Sequence, residues 1–317
     1  MSAESLHHHP KPGTAEYDEH VREEIEHYGQ IFESEIGREK LVQPVPPSWT
    51  ELERRAQVLM RVSTGKDLSG HLVERLNYRP GIQMLSLGSG PGGVEIGLAQ
   101  SAPQAEIVCT DINPNLLELG RQRAEELKLK IRFTEADLNS AELPAGEFDV
   151  VFCHASLHHV IELERLAQEI RRTLRPGGVL ITVDVITRNG YLMWPETKTV
   201  VETIWNTLPE KFRLNHTAYS EPRIDDQIWE ADTSVSGMEC ARSEEILPVL
   251  QRNFVAEHYV PYFSISRRFF DTMYGPNFNL SAPLDKAILE WIWQLDLHYL
   301  MTGRLRPETF FGVYKVA

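Results

Sequence analysis

Residues 82–93 read Ile-Gln-Met-Leu-Ser-Leu-Gly-Ser-Gly-Pro-Gly-Gly, and this stretch decides the fold. Apolar residues run straight into four glycines, Gly88, Gly90, Gly92 and Gly93, and a helical pattern follows in Val94, Ile96, Gly97, Leu98 and Ala99. The order is strand, tight turn, helix. Glycine in such a turn permits positive φ and lets the backbone approach a ligand that a Cβ would block. About twenty residues further on, Ile107-Val108-Cys109-Thr110-Asp111 reads as a second strand ending in a carboxylate placed to hold ribose hydroxyls. The pair implies an adenosine-containing cofactor. Because Gly88, Gly90 and Gly93 also satisfy GxGxxG, the loop alone leaves a dinucleotide and a methyl donor both open.

Working outward, strands and helices alternate. The pattern predicts strand 82–87 and helix 92–101, then strand 105–110 and a helix opening at Asn113-Pro114. Strand 131–135 runs into Glu135-Ala136-Asp137, and strand 148–153 leads to His154 and a helix over 161–174. Arg175-Pro176-Gly177-Gly178 should end that helix before strand 179–186. Near-continuous apolar strands joined by helices predict an open, mostly parallel sheet with right-handed crossovers. Strand-like runs return at 254–263 and 309–316, around a helix at 283–302.

The flanks differ. Residues 1–14 look frayed, 15–37 read as acidic and helical, and Pro44, Pro46 and Pro47 break the chain. Ser48 or Thr50 is expected to cap a helix over 51–63, and a second covers 67–77. Residues 187–253 are polar and aromatic (Tyr191, Trp194, Trp205, Tyr219, Trp229), with helices expected near 195–207 and 243–252. The organisation is a helical extension at 1–79, a nucleotide-binding core at 80–186, an aromatic insert at 187–253 and core-completing elements at 254–317.

Across 317 residues, 42% are apolar, enough for a sizeable core, and the formal net charge is −14. That charge argues against a nucleic-acid partner, which needs clustered Lys and Arg. Cys109, Cys153 and Cys240 lie far apart with no CxxC pair, as expected of reduced, buried thiols in a cytoplasmic protein. No apolar run reaches the ~18–20 residues of a membrane span.

Three features separate the cofactor alternatives. Asp137 follows the third strand, where its carboxylate could accept from an adenine amino group. Leu174–Gly178 makes a sharp turn before the fifth strand, and the chain ends in two strands around a helix. Together these resemble the class I S-adenosylmethionine-dependent methyltransferases, of the type that methylates quinones, sterols and other small molecules. The resemblance covers residues 80–186, completed by the last strands. It implies a Rossmann-like α/β fold: a seven-stranded, mostly parallel sheet with an antiparallel C-terminal strand. It also implies that Gly88, Ser89, Gly90 and Gly92 lie against the methionine part of S-adenosylmethionine. Asp111 and Ile112 would take the ribose, and Asp137 and Leu138 the adenine. Cys153 and His154 would line the methyl side, ahead of Leu157-His158-His159-Val160. One position departs from the family: Ser86 stands where an acid usually precedes the first loop glycine by two residues, so that acid's task would pass to a neighbour.

Methyl transfer is an in-line displacement, and it needs a base only when the acceptor arrives protonated. A histidine is the natural base near neutral pH. His158 is the first candidate and His154 the second. Asp184, at the end of the fifth strand, either faces ligand or caps local backbone. No metal is assigned, since the neighbouring Asp225 and Asp226 need not converge. The insert is expected to roof the cleft over a small-molecule acceptor, or else to form a dimer face, so a homo-oligomer stays open. The competing readings are a nicotinamide-dependent oxidoreductase and a protein methyltransferase or non-catalytic relative. Cys153-His154-Ala155-Ser156 lacks the Asn/Asp-Pro-Pro-aromatic tetrad of nucleic-acid methyltransferases.

Overall fold

The computed structural model describes residues 9–217, 221–235 and 237–316, so His7, His8 and Tyr219 lie outside the described residues. Four helices come first: α1 (Ala15–Ile31), α2 (Glu35–Lys40), α3 (Pro47–Thr64) and α4 (Leu68–Leu76). The acidic stretch is helical as expected, in two pieces, because the Ser34 side chain accepts from Gly37 N and starts α2 afresh. The expected cap of α3 is also corrected. The helix starts at Pro47, whose missing N–H costs nothing in a first turn. Ser48 lies inside it, buried, and donates to the Phe270 and Gly275 carbonyls instead.

The alternating region forms β1 (Gln83–Leu87), α5 (Gly93–Ser101), β2 (Glu106–Asp111), α6 (Pro114–Glu126), β3 (Ile131–Glu135), β4 (Phe148–His154), α7 (Leu163–Thr173) and β5 (Leu174–Val185). These five strands pair in parallel. Asn113 caps α6 as expected, accepting from Asn115 N and Leu116 N. The Arg175–Gly178 turn is taken up into β5 rather than preceding it. Leu174 already pairs with Phe148, the register shifts before Val179, and Gly177 supplies a φ of +81°.

The insert holds α8 (Pro195–Trp205), a two-residue antiparallel pair β6 (Leu214–Asn215) and β7 (Arg223–Ile224), and α9 (Ile246–Asn253). Then come β8 (Phe254–Tyr262), α10 (Arg267–Phe270), α11 (Pro283–Met301) and β9 (Thr309–Val316). The sheet order is β3-β2-β1-β4-β5-β9-β8, with β9 antiparallel to both neighbours. This is the expected seven-stranded α/β sheet. Its order reverses between β1 and β4, and in open α/β sheets ligands bind at the carboxyl ends of the strands at such a point.

The period-two alternation of strands sorts side chains into two cores. Met84, Val150, Phe152, Ile181, Phe311 and Val313 face one way, with α3, α4, α11 and the insert's Trp205 and Phe212. Leu85, Leu87, Val151, Cys153, Leu180 and Phe310 face the other, with α7 and α9. Most aromatic residues of 264–301 are core (Phe269, Phe270, Tyr274 and Phe278 are buried), while Trp291 is exposed. All three cysteines are free and buried. No helix among the described residues is long and apolar enough to cross a membrane.

Candidate active site

The glycine loop leaves β1 through three positive-φ residues: Gly88 at +67°, Gly90 at +55° and Gly92 at +73°. At Gly88 a Cβ would lie 2.5 Å from the Ser156 Cβ, so the loop after β4 sits directly on it. At Gly90 a Cβ would meet nothing within 4 Å; that backbone faces open space. Ser89 N donates to the Thr110 carbonyl at 2.9 Å, tying the loop to β2. Asp111 Oδ2 accepts from Gly90 N at 2.8 Å and Oδ1 from Asn113 N at 2.9 Å, with Ile112 half-buried beside it. Burial raises the Asp111 pKa, and those two N–H groups oppose the rise.

Asp137 follows β3 and accepts from Asn139 N at 2.8 Å, Ser140 Oγ at 3.0 Å and Tyr17 Oη at 2.8 Å. Leu138 overlies Gly88, 3.7 Å from where its Cβ would be, and its carbonyl is held by Arg165. Ser86, which stands where the resemblance implies an acid, meets one in space. Ser86 Oγ donates to Glu95 Oε1 at 2.6 Å, and both residues are buried. A carboxylate thus reaches the base of the loop from the first turn of α5 instead of from β1.

Past β4 the Cys153 thiol is packed in the core, while His154 and Ala155 keep accessible surface. His154 keeps accessible surface, and the burial around its ring lowers its pKa. His158 is buried, and its Nδ1 lies 2.6 Å from Asp184 Oδ1. Asp184 is fully enclosed and also accepts from Ser156 N, Leu157 N and Val185 N. Burial works against its charge, but His158 and these N–H groups hold its carboxyl below the ordinary range. Asp184 therefore caps the backbone and orients His158, and its two oxygens are taken by protein donors and not turned to a ligand. On the far side, His158 Nε2 faces Glu239 Oε1 at 3.7 Å. His158, Glu239 and the adjacent Cys240 place one ligand atom each within 4.8 Å of one another, so this trio could hold a divalent metal.

α1 lies across the same edge. Besides Tyr17 on Asp137, the Ile25 carbonyl accepts from Asn113 Nδ2 at 3.0 Å. Glu24 Oε1 lies 2.8 Å from His159 Nδ1, and Tyr28 Oη 3.3 Å from His159 Nε2. Burial disfavours charge on His159, but Glu24 and Glu239 outweigh it and push the pKa up to about 9. Sequence reading missed Tyr17, Glu24, Tyr28, Glu95 and Glu239. Only Glu95 carried a signal, as the single acid in the apolar α5.

Residues 85–182 match the family model described as "Methyltransferase domain". Over those residues the chain is similar to methyltransferase domains. Residues here are 34% identical over 102 positions to the demethylmenaquinone methyltransferase of Thermus thermophilus, covering 32% of this chain and 46% of that protein. They are 33% identical over 146 positions to the Deinococcus radiodurans demethylmenaquinone methyltransferase, covering 45% and 60%. The chain thus spans about half the length of these curated relatives. Among solved structures, a geranyl diphosphate C-methyltransferase from Streptomyces coelicolor A3(2) superposes with a TM-score of 0.51, covering 97% of this chain and 100% of that one. At 15% identity that likeness shows a shared fold.

Proposed function

We propose that this chain is an S-adenosylmethionine-dependent methyltransferase acting on a small-molecule acceptor, with His158 as the general base. The Asp184–His158 pair carries the reading. A buried carboxylate fixes the imidazole through Nδ1 and leaves Nε2, 3.7 Å from Glu239 Oε1, as the nitrogen to take a proton. The cradle fits the methyl donor. Gly90 borders open space, and the buried Ser156 Oγ beside Gly88 has no partner. Gly88, Ser89, Gly90 and Gly92 would take the methionine part, Asp111 and Ile112 the ribose, and Asp137 and Leu138 the adenine. The bound donor supplies an electrophilic methyl group on a sulfonium. His158 Nε2 takes the acceptor's proton, and Asp184 stabilises the imidazolium that results. From the insert, Glu239 would close the site on the His158 side.

Calorimetry tests the reading. S-adenosylmethionine and its demethylated product should both bind, and Asp137→Ala should weaken both. Binding of a nicotinamide dinucleotide in their place would overturn it. Once an acceptor is in hand, His158→Gln should slow turnover by roughly 10²–10⁴-fold with methyl-donor affinity unchanged.

A pH effect follows from α1. His159 has a folded pKa of about 9, above its ordinary ~6.5. The stability it contributes is therefore fully present below about pH 6.5 and lost as pH rises through about 9. Melting temperature should fall across that window in the wild type, and Glu24→Gln should flatten the fall. Parallel curves for the two proteins would contradict the assignment.

A further inference from the structure

His158 stands on the turn after β4, Glu239 and Cys240 stand on the insert, and their ligand atoms converge. His158 Nε2 lies 3.7 Å from Glu239 Oε1, Cys240 Sγ lies 3.4 Å from the same oxygen, and the three atoms all fall within 4.8 Å of one another. A tetrahedral Zn²⁺ with bonds of about 2.0–2.3 Å keeps its ligand atoms about 3.4–3.6 Å apart. Small side-chain shifts therefore close the trio on one ion.

Each ligand is held by a further group. Asp184 takes the Nδ1 proton of His158 at 2.6 Å, which leaves the Nε2 lone pair on the side of Glu239. A carboxylate on the far nitrogen is the usual partner of a metal-binding histidine. Glu239 divides its oxygens: Oε2 lies 3.5 Å from His159 Nε2, and Oε1 is left to His158 and the thiol. Cys240 has a φ of +53°, left-handed for a residue that is not glycine. Neighbouring side chains on extended backbone point apart; this turn instead sets Cys240 beside Glu239. The turn is fixed at both carbonyls. Glu239 O accepts from Thr233 Oγ1 at 3.0 Å and Cys240 O from Gly190 N at 2.9 Å. Backbone strain of this kind gathers at ligand clamps, where surrounding structure holds it. Cys240 is fully buried while the Glu239 side chain keeps 37% of its surface, so an ion has a way in past the carboxylate.

We propose that His158, Glu239 and Cys240 form a Zn²⁺ site, and that an ion held there switches off the base. The site stands on its geometry. The switch rests on the methyltransferase reading, since proton and ion compete for the same Nε2 lone pair. The donor set chooses the metal: a thiolate, an imidazole and a carboxylate suit zinc, whereas Mg²⁺ and Ca²⁺ take oxygen ligands. Binding displaces the thiol proton donated to Glu239 Oε1, and that proton passes to the buffer. Three protein ligands leave the fourth position to water.

The test uses the full chain, with Co²⁺, Zn²⁺ and Mg²⁺ as the probes. Co²⁺ should give a thiolate-to-metal charge-transfer band, Cys240→Ser should abolish it, and Cys109→Ala should keep it. Histidine ligands, such as those at 7–9, give no such band. Against a chromogenic chelator, Cys240→Ser and Glu239→Gln should each weaken Zn²⁺ by at least about tenfold, and Mg²⁺ should not compete. Zn²⁺ should also raise the melting temperature of the wild type and not that of Cys240→Ser. A missing band, a band that survives in Cys240→Ser, or Mg²⁺ held as tightly as Zn²⁺ would overturn the site. With an acceptor in hand, saturating Zn²⁺ should slow wild-type turnover by roughly 10²–10⁴-fold, the loss of the base; undiminished turnover would overturn the switch. Titration with S-adenosylmethionine separates the two readings. Donor binding without the cobalt band removes the metal site alone, and the band without donor binding leaves the metal site and removes methyl transfer.

Discussion

Replacing Asp184 by Asn should unfold the protein more easily by about 3–5 kcal/mol, the cost of breaking a buried charged pair. It should also slow methyl transfer by roughly 10²–10⁴-fold. The chemistry of the side chain forces both effects. Asp184 accepts four hydrogen bonds: Oδ2 takes Ser156 N at 3.0 Å and Leu157 N at 2.7 Å, while Oδ1 takes Val185 N at 2.8 Å and His158 Nδ1 at 2.6 Å. An amide brings one NH₂ to a site where every neighbour donates. Whichever way it turns, two donors meet its own N–H groups, buried and out of reach of water. Urea denaturation gives the stability loss. The acid limb of the stability curve gives the sign: a depressed carboxyl pKa contributes stability above the ordinary aspartate pKa and loses it as pH falls through the folded value. Asp184→Asn should remove that limb. A variant that keeps wild-type stability and wild-type acid sensitivity would show that the pair is not held as described.

The second large effect belongs to Gly88→Ala. Two costs add at this residue. Its φ of +67° is a left-handed conformation, which costs an alanine roughly 1–2 kcal/mol. The new methyl would then sit 2.5 Å from Ser156 Cβ, far inside van der Waals contact. Relief requires the 155–159 turn to move, and that turn carries His158 and is pinned by Asp184. The expected result is a destabilisation of about 2–4 kcal/mol, from strain and overpacking together. Calorimetry should also show loss of S-adenosylmethionine binding, because the loop and the turn can no longer close together. Gly90→Ala is the internal control. It has a similar φ of +55° but no atom within 4 Å of the new Cβ, so it should cost backbone strain alone. If the two variants lose equal stability, the Ser156 contact has no energetic weight.

Much of this protein was determined by local sequence. Residues 82–93 with Asp111 and Asp137 fix a strand–glycine turn–helix, because strand and helix periods and the steric freedom of glycine act within a few residues. The parallel sheet follows from crossover handedness, and β3 and β9 fall at the residues expected. Tertiary structure decided what depends on groups distant in the chain. Ser86 is no acid in sequence, but Glu95, in the first turn of α5, is brought to 2.6 Å from it. Tyr17 reaches Asp137 across 120 positions, and Arg242 of the insert holds the Ile161 carbonyl. Asp184 could have been cap or ligand from sequence; only the register of β4 against β5, which pairs His154 with Val183, brings it under the Ser156–His158 turn. Local sterics set the elements, and desolvation and charge pairing between remote segments set the site.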